Sequence, residues 1–349
     1  MKARIRKETG LLLFHRGMTD PERIAFFRSR FPAEGFFQDK EWVHSPRPFA
    51  LEPAVAATIR QLGGALRRFQ RACNRLYLEA AQGGPLAWVA ALLDRGKPAA
   101  VIELGRHTRW AQALPVVIRP DLILTAEGVT IAEVDSLPGG IGLTAWLNEV
   151  YAEMGEPVIG GSSGMLDGFQ RAFPEEWIVV SKESADYEPE MRWLAARLAD
   201  GRQVLNPWSL EPSSLRGRAV YRFFELFDLE NVEHSADMLE MARRGELCLT
   251  PPPKAFLEEK LWLVLFHAPQ LAAFWEAQLA VEDLALLRRC IPQGCVVDPA
   301  PLPPAAEIHG LGAADWAEVA TMGRREREWV LKISRCSELG WFFRGVHVG

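Results

Sequence analysis

The residue patterns that mark the commoner metal and nucleotide sites are missing from this sequence. Its seven histidines form no HxxxH or HExxH pair, and its five cysteines, Cys73, Cys248, Cys290, Cys295 and Cys336, include no CxxC. Cys290 and Cys295 lie five apart across Ile291-Pro292 and have no histidine nearby, which excludes a zinc site of the usual spacing. No GxGxxG or GxxxxGK loop is present, so neither a dinucleotide fingerprint nor a P-loop is available. The net charge is −5, which gives no general electrostatic reason to bind nucleic acid or acidic lipid. The longest uncharged apolar run, over 261–275, falls short of the ~20 residues of a membrane span, and Pro269 interrupts it. Basic residues lie between Lys2 and Lys7, but only Leu11 to Phe14 follow before His15-Arg16, too little for a secretory apolar region. An odd cysteine count without a signal segment points to reduced thiols and a cytoplasmic location.

What the chain does contain is ample apolar content, 48% of 349 residues, enough for two domains or one large multilayer domain. Val55, Ile59, Leu62, Leu66, Phe69, Cys73 and Leu76 recur at intervals of three and four, which predicts an amphipathic helix over 51–82, kinked at Gly63-Gly64. A second helix is expected over 85–95. The glycines of Leu137-Pro-Gly-Gly-Ile-Gly142 read as turn and helix-start residues ahead of a helix over 143–154, rather than as a phosphate cradle. Farther on, a strand over 177–181, a helix over 189–198 and strands over 203–205 and 218–224 predict a parallel α/β layer with right-handed crossovers. Thr250-Pro-Pro-Pro253 breaks the chain. Helices over 255–267 and 270–289, a stiff proline-rich connector over 299–304, a helix over 313–325 and a strand over 328–334 follow. The expected class is α/β with mixed α+β elements. Four regions are expected: mainly helical 1–115, a hairpin and helix over 116–160, the α/β layer over 161–250, and a last region over 251–349.

Residues 119–135 carry the most chemistry, because they put one arginine and three carboxylates on a single β-hairpin. A three-residue loop, Ala126-Glu127-Gly128, with Gly128 at positive φ, pairs Asp121 with Glu133 and Arg119 with Asp135. All four side chains then share a face, since strand side chains alternate. A two-residue Glu127-Gly128 loop would send Asp121 and Glu133 to opposite faces. Carboxylates facing each other across a ladder repel and call for a cation between them. Mg²⁺ is the fitting ion, being hard and accustomed to holding nucleotide phosphates through one or two carboxylates. An acidic hairpin solvated by water is the other reading, and spacing alone leaves both open.

Lys332 is the second unusual residue, set among apolar neighbours in Trp329-Val-Leu-Lys-Ile333. A buried ammonium needs a partner. A nucleotide phosphate is one, and water at an edge strand is the other.

From about Val117 to its end, the chain resembles the glutathionylspermidine-synthase-like group of ATP-grasp carboxylate-amine ligases, whose ATP-grasp elements occur in permuted order. That family has an R-x-D motif, a Glu twelve residues beyond the Asp, and then x-N; here they read Arg119, Asp121, Glu133 and Asp135, with Asp in place of the Asn. The family's next lysine lies in an N-K-apolar helix, matched here by Lys260 in Pro253-Lys-Ala-Phe-Leu-Glu-Glu-Lys-Leu-Trp-Leu. Its strand lysine, followed by a loop over the phosphates, is matched by Lys332 and residues 334–349, where this chain has fewer glycines near the lysine. The resemblance implies an ATP-grasp-like fold with a helical N-terminal region and the α/β unit as a pre-ATP-grasp layer. It also implies ATP and Mg²⁺ as cofactors, with Asp121, Glu133 and Asp135 on the metal, Lys260 and Lys332 on the phosphates, and Arg119 on the transferring phosphoryl group.

The implied reaction is amide or peptide bond formation through an acyl phosphate, between a small carboxylate and an amine. Family members continue past the point where this sequence stops, with roughly a hundred further residues that close around adenine. The expectation is therefore an incomplete nucleotide half, covered by a missing C-terminal segment or a partner chain. Two other classes fit the same residues: a non-catalytic binding protein on a truncated scaffold, and a metal-dependent hydrolase that uses the hairpin without nucleotide.

Overall fold

Alternating strands and helices in the sequence become a mixed α/β protein in the computed structural model, which describes residues 17–32, 43–198, 201–297, 308, 313–322 and 332. The expected proline-rich connector over 299–304, the loop over 334–349 and all of the strand over 328–334 except Lys332 lie outside the described residues. The chain divides into two compact units, each made of two stretches: Glu52–Ser136 with Pro252–Gly349, and Met1–Leu51 with Leu137–Pro251. Among the described residues, no helix is long and apolar enough to cross a membrane.

The first unit is built on the helix Pro53–Ala80, which runs through Gly63-Gly64 without a break. Leu62, Leu66, Phe69, Cys73, Leu76 and Ala80 form its buried stripe, at the spacing the sequence predicts. Each large side chain in that stripe stabilises the fold by about 1.5–3 kcal/mol on burial. The stripe packs against the helix Ala87–Asp94, the helix Val281–Cys290 and the inner face of a two-stranded antiparallel sheet, β1 (Arg119–Thr125) and β2 (Gly128–Asp135). Val129 and Ile131 of β2 enter this core, while most of β1 is exposed. Phe69 meets Phe266 and Trp275 with ring centroids 5.4 Å apart in each case.

The expected helices over 255–267 and 270–289 are broken into shorter pieces. A 3₁₀ turn, Ala255–Glu258, precedes the helix Leu261–Leu265, and Pro269 starts another 3₁₀ turn ahead of the helix Ala272–Gln278. Leu279 then turns extended, at φ −119° and ψ 142°, and is buried, so the apolar period continues across a break in the helix. The helix Ala99–Arg106 is an addition that the sequence reading lacks. Near the end of the described chain, the helix Trp316–Thr321 starts three residues later than the predicted 313–325, of which 323–325 lie outside the described residues, and it is capped by Asp315, whose Oδ1 accepts the Glu318 N–H at 2.8 Å.

The second unit is organised by a four-stranded parallel sheet in the order β4-β3-β5-β6. Its strands are β3 (Trp177–Val180), β4 (Val204–Leu205), β5 (Ala219–Phe223) and β6 (Cys248–Thr250), and the helix Glu188–Arg197 joins β3 to β4. The first three strands and this helix fall within a residue or two of the predicted positions. Strand β6 and the helix Ser235–Arg244 before it are additional; three residues are too few for alternation to register. Helix Asp20–Ser29 was also unanticipated, although Thr19 and Glu22 form the capping box that announces it.

The glycines at 139–142 have steric causes. Gly140 starts the helix Ile141–Glu153 at φ 81°, and a Cβ on Gly142 would lie 2.4 Å from the Glu190 carbonyl oxygen. The Glu190 carboxylate, 1% exposed, accepts the N–H groups of Gly140 and Leu143 at 2.6 and 2.9 Å. An internal carboxylate therefore occupies the position where a helix N-terminus would hold a phosphate. Gly142→Ala tests this packing. In an open helix the change would add about 1 kcal/mol of stability, but against a fixed backbone oxygen it should remove about 1–3 kcal/mol, measurable by urea denaturation.

Candidate functional site

The hairpin reaches the expected pairing by an unexpected route. The loop between the strands is Ala126-Glu127, and Thr125 pairs with Gly128, so the three-residue loop of the sequence reading is one residue too long. Gly128 supplies the positive φ, at 133°. That register holds as far as Leu122 opposite Ile131, and a bulge then makes Ala132 the extra residue on β2. Beyond it Asp121 faces Glu133 and Arg119 faces Asp135. A bulge bends its strand and re-aims the side chains beyond it, and here it returns the acidic pair to one face.

All six candidate residues come together at this end of the hairpin. Arg119 lies between two of the carboxylates, its Nε 2.9 Å from Asp121 Oδ1 and a terminal guanidinium nitrogen 3.6 Å from Asp135 Oδ2. Lys260 Nζ is 2.8 Å from Glu133 Oε1. Lys332 Nζ donates to the carbonyl of the bulged Ala132 at 2.9 Å and stands 4.0 Å from Glu133 Oε2. Exposure grades across the cluster from Asp121, 47% exposed, to Asp135, 7% exposed. Three cations balance three carboxylates, so the set is neutral as it stands.

The donor chemistry suits a hard divalent cation, since all three acids offer carboxylate oxygens. Their present directions do not gather them around one point. Among the described residues, no group of three or more His, Cys, Asp or Glu is arranged to hold a metal ion. Each carboxylate instead faces a side-chain cation, and a metal would have to take Glu133 from Lys260 and loosen Asp121 and Asp135 from Arg119.

Lys260 projects from a segment whose own charges are buried. Lys254, at the start of that segment, donates to Asn74 Oδ1, the Ala113 carbonyl and the Ala111 carbonyl at 2.7, 2.7 and 3.1 Å. Burial lowers its pKa to about 8. Phe256 stacks on Tyr77 with ring centroids 3.7 Å apart. Glu259, immediately before Lys260, pairs with Lys97, and both side chains are nearly inaccessible. Sequence reasoning missed Asn74, Lys97, Lys254 and Glu259. A usable signal existed for Lys254 alone, which lies between Pro251-Pro-Pro253 and Ala255-Phe-Leu257 much as Lys332 lies among apolar neighbours, whereas Glu259 sits between Glu258 and Lys260 and carried none.

Burial raises the Glu259 carboxyl from 4.5 to about 7, against the opposing pull of Lys97. The folded protein then holds a proton that the unfolded chain has lost between these values, so this group's contribution to stability falls as pH rises from 4.5 to 7. Glu259→Gln should flatten that part of the pH–stability profile, removing a change on the order of 2 kcal/mol. Thermal melts of both proteins across the range check it, and parallel profiles would refute the assignment.

Neither the protein-family models nor the curated proteins compared with this sequence match it, so the chemistry of the site rests on the six side chains themselves.

Proposed function

We propose that this chain is an ATP-grasp-like, ATP-dependent carboxylate-amine ligase of the glutathionylspermidine-synthase-like type, with Mg²⁺-ATP held at the β1–β2 hairpin. The carrying observation is the convergence of Arg119, Asp121, Glu133 and Asp135 with Lys260 and Lys332, three separate stretches of sequence, on one face. A chance acidic hairpin has no reason to collect two lysines from so far along the chain.

In this reading each side chain has a charge to meet. Asp121, Glu133 and Asp135 would hold Mg²⁺, which would supply positive charge against the nucleotide phosphates. Lys260 and Lys332, drawn from Glu133, bind phosphate oxygens as compact point charges. Arg119, through its planar guanidinium, would stabilise charge on the phosphoryl group as the carboxylate substrate attacks it, and again on the acyl phosphate as the amine attacks its carbonyl carbon and inorganic phosphate leaves. An amine arriving neutral needs no general base. The cation pairing already present in the cluster favours, as the second reading, a non-catalytic binding protein on the same scaffold.

The pairing also makes metal and nucleotide depend on each other, because the metal must displace lysines that a phosphate then receives. Titration calorimetry should therefore find weak Mg²⁺ binding alone and much tighter Mg²⁺-ATP binding. Asp121→Ala should weaken the latter by at least about tenfold, or 1.4 kcal/mol. Lys260→Met should weaken nucleotide binding while strengthening Mg²⁺ binding measured without nucleotide. Metal binding indifferent to ATP would favour the hydrolase, and binding of neither would leave the non-catalytic reading.

A further inference from the structure

Four ionisable residues crowd into 254–260, and three of them, Lys254, Glu258 and Glu259, are buried. A lysine that only had to reach solvent or the hairpin would require none of this. Burying a charge is costly unless it is paired, and apolar residues of similar volume commonly serve stability equally well. Stability alone therefore gives little reason for a carboxylate at 259 and an ammonium at 97, whose side chains are 2% and 3% exposed.

The backbone supplies a reason. Glu259 is extended, at φ −94° and ψ 130°, between the 3₁₀ turn Ala255–Glu258 and Lys260, which caps the helix Leu261–Leu265 with helical φ and ψ. Two neighbouring side chains thus serve opposite partners: Glu259 meets Lys97, and Lys260 meets Glu133 on β2. Lys97 is held in turn, donating also to the Leu93 carbonyl at the end of the helix Ala87–Asp94. At the other end of the turn, Lys254 and the Phe256–Tyr77 stack fix the segment. The chain direction from which Lys260 leaves is therefore pinned on both sides, by partners on segments other than the hairpin.

We propose that the buried Lys97–Glu259 pair is a positioning device for Lys260, holding the ammonium at the distance from the hairpin carboxylates at which it receives a nucleotide phosphate. The proposal rests on the ligase reading, in which Lys260 is a phosphate ligand. Glu259 acts only through its neighbour, since a group pre-set by a locked supporting shell loses less freedom when ligand binds. Among the described residues, the charged groups acting on Glu259 include Lys97, Glu258 and Lys260.

A double-mutant cycle on the full-length chain tests it, with Mg²⁺-ATP affinity measured by calorimetry at pH 8, where Glu259 is ionised, and melting followed in parallel. Glu259→Gln should weaken binding about tenfold, the size typical of losing a group that orients a ligand. In a Lys260→Met background the same change should cost nothing further, because the residue it positions is gone. Lys97→Arg, which keeps the pair, should retain affinity. If Glu259→Gln does not fold, Lys97→Met combined with Glu259→Met leaves no orphaned charge and should show the same dependence on Lys260. Losses that multiply independently of Lys260, or a folded Glu259→Gln protein of unchanged affinity, would overturn the positioning role alone. A wild-type chain that binds no Mg²⁺-ATP would overturn the ligase reading and the proposal together.

Discussion

Glu133 is where the chemistry of this chain meets, because its carboxylate faces Lys260 and Lys332 while its backbone lies just beyond the bulge at Ala132. An acid opposite another acid in a ladder is unfavourable on its own. The bulge sets that opposition up by turning Glu133 toward Asp121, and the two lysines and Arg119 relieve it. Take the bulge away and Glu133 changes face, leaving Lys260 without its partner. The local twist of one strand thus determines whether distant segments have anything to converge on.

Charges elsewhere follow the same rule, and the protein supplies its own counter-groups. In the second unit, Glu190 occupies the N-terminus of the helix Ile141–Glu153, satisfying two backbone N–H groups and forcing glycine at 142. Arg222, fully buried, donates to the carbonyls of Pro251 and Phe224. These sites are closed by their internal bonds. The hairpin cluster differs in being graded, with Asp121 and Lys332 substantially exposed and Asp135 buried, so one side of its charges is open to solvent.

Period and spacing made much of this legible. The stripe of the helix Pro53–Ala80 and the strands β3, β4 and β5 follow directly from apolar recurrence. The pairing of Asp121 with Glu133 was also legible, but for a reason that proved different: the loop is one residue shorter than expected and the bulge adds one back. No single-sequence period announces a bulge, since it is a local exception to alternation. Leu279 shows the converse, an apolar residue in helical register whose backbone is extended so that its side chain can enter the core. The Lys97–Glu259 pair was out of reach because its members are far apart in the chain, and nothing local to either specifies the other.

The central claim is that the hairpin exchanges its internal cations for a metal and a nucleotide. A crystal structure of the chain with Mg²⁺ and a non-hydrolysable ATP analogue tests it most directly. The account predicts density for the ion among Asp121, Glu133 and Asp135, with the Lys260 ammonium moved from Glu133 onto a phosphate. Analogue bound elsewhere, with Lys260 still paired to Glu133, would contradict it.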